Sequence, residues 1–284
     1  MEKNYRDELV GVFGCPVDEN PTGVIEEAAF AAKKLPYRYI MFKVEKDGLD
    51  TAMKSIRALN MRGINLTIPH KVAAVAYLDE LSESAEIIGA VNIVVNRDGV
   101  LWGENTDGKG FMKSLESAKI SVKNKTITIL GAGGAARAIS VECALAGAEK
   151  INVVNIEREQ GETLTELLVK RTGILSEFHF WEGTFHIPEA TQILINATSV
   201  GLYPNIDQKP DIDYKGITKD MAVCDVIFNR PHSLFLQEAE KQGARTVNGL
   251  GMLANQAALN FELWTGVQAP LELMKEALEK EFGL

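Results

Sequence analysis

Four short groups of polar residues follow apolar segments that have the composition of β-strands. They are NLTIPHK (65–71), AVN (90–92), NTDG (105–108) and NATS (196–199). Ligands of open α/β sheets bind beyond the carboxyl ends of the strands, so these groups are candidates for a ligand site. A Lys held against an Asp could give a proton to a carbonyl oxygen, while Asn and Thr side chains fix a polyol. Residue types alone do not establish this carbonyl chemistry, because most lysines are solvated surface groups.

A glycine-rich segment, GAGGAA, occupies positions 131–136 and satisfies the pattern G-x-G-x-x-A. An apolar strand precedes it, a helix follows, and another strand lies within about 30 residues, as in dinucleotide-binding turns. Gly131 permits the tight turn, Gly133 removes a Cβ from the path of a pyrophosphate, and Ala136 allows close helix packing. The N–H groups that begin the helix would bind the phosphates. The predicted cofactor-binding residues of this turn are Gly131, Ala132, Gly133, Gly134 and Ala135.

Alternating strand and helix patterns predict the elements that position these groups, and they indicate an α/β fold. Before residue 107 the expected strands are 9–14, 37–44, 63–68 and 90–96, in a largely parallel sheet, and the expected helices are 23–35, 49–60 and 70–81. Beyond residue 107 the expected strands are 126–130, 151–155, 192–196 and 221–227. The expected helices there are 108–118, one from the glycine-rich turn to Gly147, and two within 250–282 that separate near Gly266 and Pro270.

The bulk composition limits the function classes. With 284 residues the chain is long enough for two domains. A net charge of −9 argues against a nucleic-acid surface. No apolar run approaches the roughly 20 residues of a membrane helix, and the N-terminal MEKNYRDELV lacks the apolar region of a secretory signal. Cys15, Cys143 and Cys224 form no CxxC pair, so we expect no metal site, three buried thiols and a cytoplasmic location.

Six motifs, taken in order, resemble those of the shikimate dehydrogenase family and cover essentially the whole chain. They are N-x-T-x-P-x-K (65–71), GAVN (89–92), NTDG (105–108), GAGGAA (131–136), NATS (196–199) and NGLGML-x-x-Q (248–256), the last with Asn248 where the family has Asp. The resemblance implies two α/β domains. A substrate domain would comprise 1–107 and, through returning C-terminal helices, 248–284, and a Rossmann-type dinucleotide-binding domain would comprise 108–247.

The resemblance also implies roles for individual residues. Lys71 and Asp107 would be the catalytic pair, with Lys71 exchanging a proton with the substrate oxygen. The implied activity is interconversion of shikimate and 3-dehydroshikimate with NAD or NADP, by a monomer or homodimer. The remaining implied contacts are Thr67, Asn92 and Gln256 to a small cyclic polyol, and Thr198, Ser199 and Gly249 to the cofactor.

The segment that binds the substrate carboxylate departs from the family pattern. The family has His-Ser-x-Ser-Pro, and an ungapped match places Asn20 and Thr22 at the two serine positions. Both side chains still donate hydrogen bonds, so we predict that they bind substrate. Asp18, Glu19 and Glu26 bring negative charge near this position, which would oppose an anionic substrate unless they point to solvent, as loop carboxylates usually do.

A second departure concerns the adenosine ribose. The strand-end sequence is Asn155-Ile156-Glu157-Arg158, whereas NADP-dependent members have Arg directly after the Asn. Glu157 favours the free ribose hydroxyls of NAD and Arg158 favours the phosphate of NADP. We predict that Asn155, Glu157 and Arg158 contact the cofactor, and that NAD or both cofactors are used. A third departure is Phe228, where many members have Tyr.

Three alternative functions stay open at this point. A paralogue could act on quinate, an amino analogue or an uncharged cyclitol, because the departures lie at the substrate end. A ligand-sensing module would need neither the Lys–Asp pair nor the cofactor turn. A one-carbon folate dehydrogenase shares the two-domain plan and a catalytic Lys, but the ordered motifs argue against it.

Overall fold

The computed structural model describes residues 5–18 and 20–284. These divide into two compact units, which we call unit 1 (Met1–Thr106 with Ala254–Leu284) and unit 2 (Asp107–Leu253). The first four residues of the N-terminal segment considered above, and Glu19, lie outside the described residues. Within the described residues, no helix combines the length and the apolar character that crossing a membrane requires.

The described part of unit 1 contains a six-stranded sheet. Its strands are β1 (Glu8–Gly14), β2 (Tyr37–Lys43), β3 (Gly63–Leu66), β4 (Glu80–Leu81), β5 (Ile93–Arg97) and β6 (Val100–Glu104), in the order β2-β1-β3-β5-β6-β4. The pairs β1–β2, β1–β3 and β4–β6 are parallel, whereas β3–β5 and β5–β6 are antiparallel. The expected largely parallel sheet is therefore wrong for β5 and β6, which are joined by a two-residue turn of Asp98 and Gly99, both with positive φ.

The described part of unit 2 also contains a six-stranded sheet, and every strand pair in it is parallel. Its strands are β7 (Thr126–Leu130), β8 (Lys150–Asn155), β9 (Leu175–Phe180), β10 (Ile193–Asn196), β11 (Ala222–Asp225) and β12 (Arg245–Val247). The order β9-β8-β7-β10-β11-β12 is that of a Rossmann-type sheet, in which the strand order reverses between β7 and β10. Ligands of such sheets bind at this reversal.

The helices of the described residues connect these strands. They are α1 (Thr22–Lys33), α2 (Leu49–Ala58), α3 (Glu83–Ile88), α4 (Thr106–Ser117), α5 (Gly134–Leu145), α6 (Arg158–Thr172), α7 (Leu234–Lys241), α8 (Gly249–Thr265) and α9 (Leu271–Glu281). The two C-terminal helices are confirmed, and α8 ends just before Gly266. The helix expected over 70–81 is wrong, because this stretch forms a 3-10 turn (Ala73–Tyr77) and then β4, which pairs with β6.

Each unit has its own apolar core. In unit 1 the buried side chains of Phe13, Ile56 and Ile64 belong to one cluster. In unit 2, β7 is buried at all five positions, as expected for a strand inside a parallel sheet. The expectation of three buried thiols holds for Cys143 and Cys224, but it is wrong for Cys15. That thiol is partly exposed and donates a hydrogen bond to Glu45 Oε2 at 3.1 Å.

Candidate active site

The loop that follows β3 carries Thr67 and Lys71, and backbone hydrogen bonds fix it within unit 1. The N–H of Thr67 donates to the carbonyl oxygen of Phe13 at 3.1 Å. The carbonyl oxygen of Lys71 accepts from the N–H of Val91 at 2.9 Å. The first two predicted polar groups, 65–71 and 90–92, are therefore joined directly.

Four buried polar side chains continue from this loop across the sheet of unit 1. The Tyr39 hydroxyl donates to Asn65 Oδ1 at 2.9 Å, and Asn65 Nδ2 donates to the carbonyl oxygen of Asn92 at 3.0 Å. Asn92 Nδ2 donates to Thr106 Oγ1 at 2.9 Å, while the Thr106 N–H donates to Asn92 Oδ1 at 2.8 Å. Burial in a low dielectric strengthens such mutual hydrogen bonds and fixes the orientation of each amide.

Helix α8 adds two amides to this arrangement. Asn92 Nδ2 lies 3.5 Å from Gln256 Oε1, the residue predicted to contact substrate. Asn260, one helical turn further, donates to Gln256 Oε1 at 3.0 Å and accepts from Thr106 Oγ1 at 2.7 Å. The sequence analysis missed Asn260, although two amides spaced by four residues on a largely apolar helix are a detectable signal. We call the set Tyr39, Asn65, Asn92, Thr106, Gln256 and Asn260 the amide network.

The segment at the two serine positions begins α1. Asn20 Oδ1 accepts from the Thr22 N–H at 3.0 Å, so this amide oxygen satisfies a backbone donor at the helix start. Thr22 is the first residue of α1 and is buried. Of the acidic residues of this segment, Asp18 is exposed, whereas Glu26 is fully buried. The expectation that these carboxylates point to solvent is therefore wrong for Glu26.

Glu26 has an unusual environment within unit 1. Its exposed fraction is 0%, and neither carboxyl oxygen has a hydrogen-bond partner within the described part of the chain. Burial raises the pKa of the Glu26 carboxyl well above its usual range. Burial, and then the charge of Glu26, raise the pKa of the Tyr39 phenol.

In unit 2 the turn after β7 has the geometry expected of a phosphate-binding turn. Gly131 has a φ of +105°, and a Cβ there would lie 2.9 Å from the carbonyl oxygen of Ala197. Gly133 and Gly134 differ, because a Cβ at either would meet no atom of the described residues within 4 Å. Protein packing thus requires glycine at position 131, while the space beside the other two suits a bound group. Ala136 is fully buried beneath the turn.

The end of β8 holds the residues predicted to select the cofactor. Asn155 Nδ2 donates to the carbonyl oxygen of Glu157 at 2.9 Å, and the Glu157 carboxylate accepts from Gln160. The Arg158 guanidinium lies 4.7 Å from the ring centroid of Phe180, an arrangement stabilised by a cation–π interaction. Arg158 also lies 3.5 Å from Glu162. The side chain of Ile156 is 67% exposed at the position where NADP-dependent members have Arg.

The loop after β10 lies beside the glycine-rich turn. Asn196 and Leu130 are register partners at the ends of β10 and β7, so both loops leave the sheet where the strand order reverses. Thr198 Oγ1 donates to Asn196 Oδ1 at 2.7 Å and accepts from the N–H of Val200 at 3.1 Å. The predicted cofactor residues Thr198 and Ser199 therefore belong to a loop that its own hydrogen bonds hold in place.

Asp225, at the end of β11, supports that loop and was not predicted. Its Oδ1 accepts from Asn196 Nδ2 at 3.0 Å and from the Ile227 N–H at 3.1 Å, and its Oδ2 accepts from Ser233 Oγ at 2.5 Å. Burial raises the pKa of Asp225 to about 6, against the opposing effect of these hydrogen bonds. A buried acid directly after an apolar strand was the available sequence signal.

The remaining predicted residues start two helices. Asp107 is the second residue of α4 and lies in its acidic first turn. Gly249 begins α8, and a Cβ there would lie 2.5 Å from the carbonyl oxygens of Val226 and Ile227, so packing alone requires glycine. Asn248 Oδ1 accepts from the N–H of Leu250 at 3.2 Å, a contact that the family's Asp would also make.

Comparison with known proteins places these observations in context. A model of the shikimate dehydrogenase substrate binding domain matches residues 12–94, and a model of the shikimate 5'-dehydrogenase C-terminal domain matches residues 249–279. The shikimate dehydrogenase (NADP(+)) of Desulforamulus reducens is 38% identical over 281 residues, which are 98% of this chain and 97% of that protein.

Two solved structures share the fold over nearly the whole chain. The ligand-free 5-ketofructose reductase of Gluconobacter sp. strain CHM43 has a TM-score of 0.93 and 44% identity, covering 98% of this chain and 100% of that one. The shikimate 5-dehydrogenase of Listeria monocytogenes, in complex with shikimate and NAD, has a TM-score of 0.91 and 34% identity, covering 97% of this chain and 98% of that one.

Proposed function

The chain belongs to the shikimate dehydrogenase family, and on that premise we propose that it catalyses the reversible NAD(P)-dependent oxidation of shikimate to 3-dehydroshikimate. The observation that carries this proposal is the amide network. It is built from the family's motif residues Asn65, Asn92 and Gln256, and its hydrogen bonds fix side chains suited to the hydroxyl groups of a polyol.

The glycine-rich turn of unit 2 fits a dinucleotide. Gly133 and Gly134 leave open space beside the backbone, and the first N–H groups of α5 would donate to the phosphates. The bound nicotinamide would accept or deliver the hydride. Thr198 and Ser199 would line its ring, since their loop leaves the sheet beside this turn.

Substrate binding is assigned to unit 1. Thr67 would donate its hydroxyl hydrogen to one substrate oxygen, while Asn92 and Gln256 would contact the ring hydroxyls. Thr22 would contact the carboxylate end. The hydrogen bonds among the amides orient these groups before substrate binds, which reduces the entropic cost of ordering the site.

Lys71 and Asp107 are proposed as the catalytic pair. In ketone reduction, Lys71 Nζ would donate a proton to the carbonyl oxygen as negative charge develops there. In alcohol oxidation the same nitrogen would take the hydroxyl proton. The Asp107 carboxylate would hold a ring hydroxyl of the substrate in position.

The ribose end of the site supports use of NAD, or of both cofactors. Arg158 already stacks on Phe180 and lies near Glu162, so binding a ribose phosphate would compete with these contacts. Ile156 supplies no charge at the neighbouring exposed position.

A second candidate, reduction of an uncharged polyhydroxy ketone, is favoured by one observation. The 5-ketofructose reductase of Gluconobacter, whose named substrate is an uncharged sugar, is 44% identical to this chain. The buried carboxyl group of Glu26 agrees with such a substrate, because no carboxylate would have to be accommodated near it.

Steady-state rates test the proposal. We expect reduced nicotinamide to form from shikimate with NAD or NADP, and Asp107→Asn to lower the rate while nucleotide binding persists. Binding of NAD(H) without turnover of shikimate, quinate or an uncharged polyol would contradict the proposal and favour a sensing module.

A further inference from the structure

A buried carboxyl group, that of Glu26, lies on helix α1, which begins at the segment where the family binds a carboxylate. Glu26 follows Thr22 by one helical turn, so both side chains lie on the same buried stripe of α1. Tyr39 packs against the same helix, because a Cβ at Gly23 would lie 3.2 Å from its ring, and Tyr39 donates to Asn65 at 2.9 Å. The helix that carries Glu26 thus lies beside the groups that would bind substrate.

Protein interiors seldom contain a polar group that lacks a hydrogen bond, because its desolvation is then uncompensated. Both oxygens of Glu26 are fully buried and have no hydrogen-bond partner among the described residues. Glu27, the next residue, has the hydrogen bond that is usual for such a group, since its carboxylate accepts from the Tyr39 N–H. The bonding capacity of Glu26 remains for a ligand.

The ligand group that satisfies Glu26 can be deduced from hydrogen-bond chemistry. A hydroxyl both donates and accepts, so it can bond to a carboxyl group whether that group is ionised or neutral. A carboxylate only accepts, so it can bond only to the protonated form and is repelled by the ionised form. Glu26 therefore favours a hydroxyl over a carboxylate.

We propose that Glu26 is a specificity-determining residue of the substrate site, and that the enzyme accepts uncharged polyols carrying a hydroxyl in place of the carboxylate, in addition to shikimate. This inference rests on the proposed function, and it adds a substrate class and the residue that selects it. Thr22, one turn before Glu26, would contact the same substituent.

The test compares shikimate with its hydroxymethyl analogue, which has the same ring and carries CH2OH in place of the carboxylate. We expect the wild type to use the hydroxymethyl analogue with a kcat/KM at least equal to that for shikimate. Glu26→Gln should change the ratio of the two kcat/KM values at least about fivefold in favour of shikimate. Glu26→Ala serves as a second variant that removes the carboxyl group without adding an amide.

Glu27→Gln is the matched control, because it removes the same charge one residue away and keeps an acceptor for the Tyr39 N–H. We expect it to change the ratio less than about twofold. A structural role for Glu26 would lower both kcat/KM values together and leave the ratio unchanged.

Failure of the inference and failure of the proposed function give different results. An equal ratio in wild type, Glu26→Gln, Glu26→Ala and Glu27→Gln, with shikimate oxidised normally, would overturn the inference alone. A wild-type enzyme that oxidises shikimate and shows no turnover of its hydroxymethyl analogue would also overturn it. Absence of turnover with every substrate and both nucleotides would overturn the proposed function.

Discussion

Glu26 in unit 1 and Asp225 in unit 2 are both buried carboxyl groups whose pKa burial raises, but their surroundings differ. Asp225 accepts hydrogen bonds from Asn196, Ser233 and a backbone N–H, which connect β10, β11 and the start of α7. Glu26 has no such bond among the described residues. The fold supplies hydrogen-bond donors to the Asp225 carboxyl group, whereas the described residues supply none to that of Glu26.

This difference separates groups that stabilise a fold from groups that serve a ligand. A buried acid with a full set of donors orients a loop, as Asp225 does beside the glycine-rich turn. A buried acid without donors is expensive to keep unless a bound molecule completes its hydrogen bonds. Substitution of Asp225 should therefore change the stability of the fold, whereas substitution of Glu26 should change substrate preference.

The largest expected effect concerns Lys71. Lys71→Ala should lower kcat by roughly 100-fold or more, because proton transfer to the substrate oxygen is lost. Nucleotide affinity and the free energy of unfolding should stay near the wild-type values. The control is Lys54→Ala, an exposed lysine that pairs with Asp50 at 2.7 Å. Near-normal turnover of the Lys71 variant would remove this residue from catalysis.

The next effect concerns Asp225 and pH. The folded pKa of about 6 exceeds the unfolded value of 3.8, so the folded protein holds the proton more tightly between these values. Relative to Asp225→Asn, the wild type should therefore gain about 2 to 3 kcal/mol of unfolding free energy as pH falls from 7 to about 4. Urea unfolding of both proteins across this range measures the difference. A difference in unfolding free energy that does not change with pH would show that folding does not shift the pKa of Asp225.

The smallest expected effect concerns the cofactor. Ile156→Arg should raise the NADP-to-NAD ratio of kcat/KM by about tenfold, because a guanidinium would then face the ribose phosphate. Ile156→Gln is the uncharged control of comparable length. An unchanged ratio would place phosphate recognition elsewhere, with Arg158 the first candidate.

Local sequence patterns predicted the strands of unit 2 better than those of unit 1. The advantage of unit 2 lies in strands that are buried on both faces. The segment 126–130 is wholly apolar and β-branched, and the turn 131–136 follows at once, so strand, turn and helix were predicted together. No element was assigned to 158–180, where α6 and β9 lie. The buried positions of α6, such as Leu164 and Leu168, are surrounded by charged residues that weaken the apolar pattern.

In unit 1 the errors arise from long-range pairing. The segment 70–81 has a helical composition, yet Glu80 and Leu81 pair with Trp102 and Gly103 of β6. The strand β6 itself was not predicted, although Asp98-Gly99 is a recognisable hairpin turn. The local pattern of 70–81 does not indicate its distant partner β6, so this tertiary pairing overrides the local preference.

For the site, the motifs predicted residues but not their bonding. Thr67, Asn92 and Gln256 were selected as substrate contacts, and the structure places the side-chain amides of the last two 3.5 Å apart. The burial of Glu26 was not predicted, because Glu26 was grouped with Asp18 and Glu19 as a carboxylate that would point to solvent, although it lies within the predicted helix 23–35. Asn260 and Asp225 were missed because each acts through a neighbour rather than through a motif.

A crystal structure with the hydroxymethyl analogue of shikimate and a reduced nicotinamide dinucleotide tests the distinction between satisfied and unsatisfied groups most directly. We predict a substrate oxygen within about 3.2 Å of the Glu26 carboxyl, with the ring hydroxyls at Asn92 and Gln256. Asp225 should keep its bonds to Asn196 and Ser233 unchanged. A substrate bound elsewhere, or a Glu26 carboxyl that bonds only to protein groups in the complex, would contradict the account.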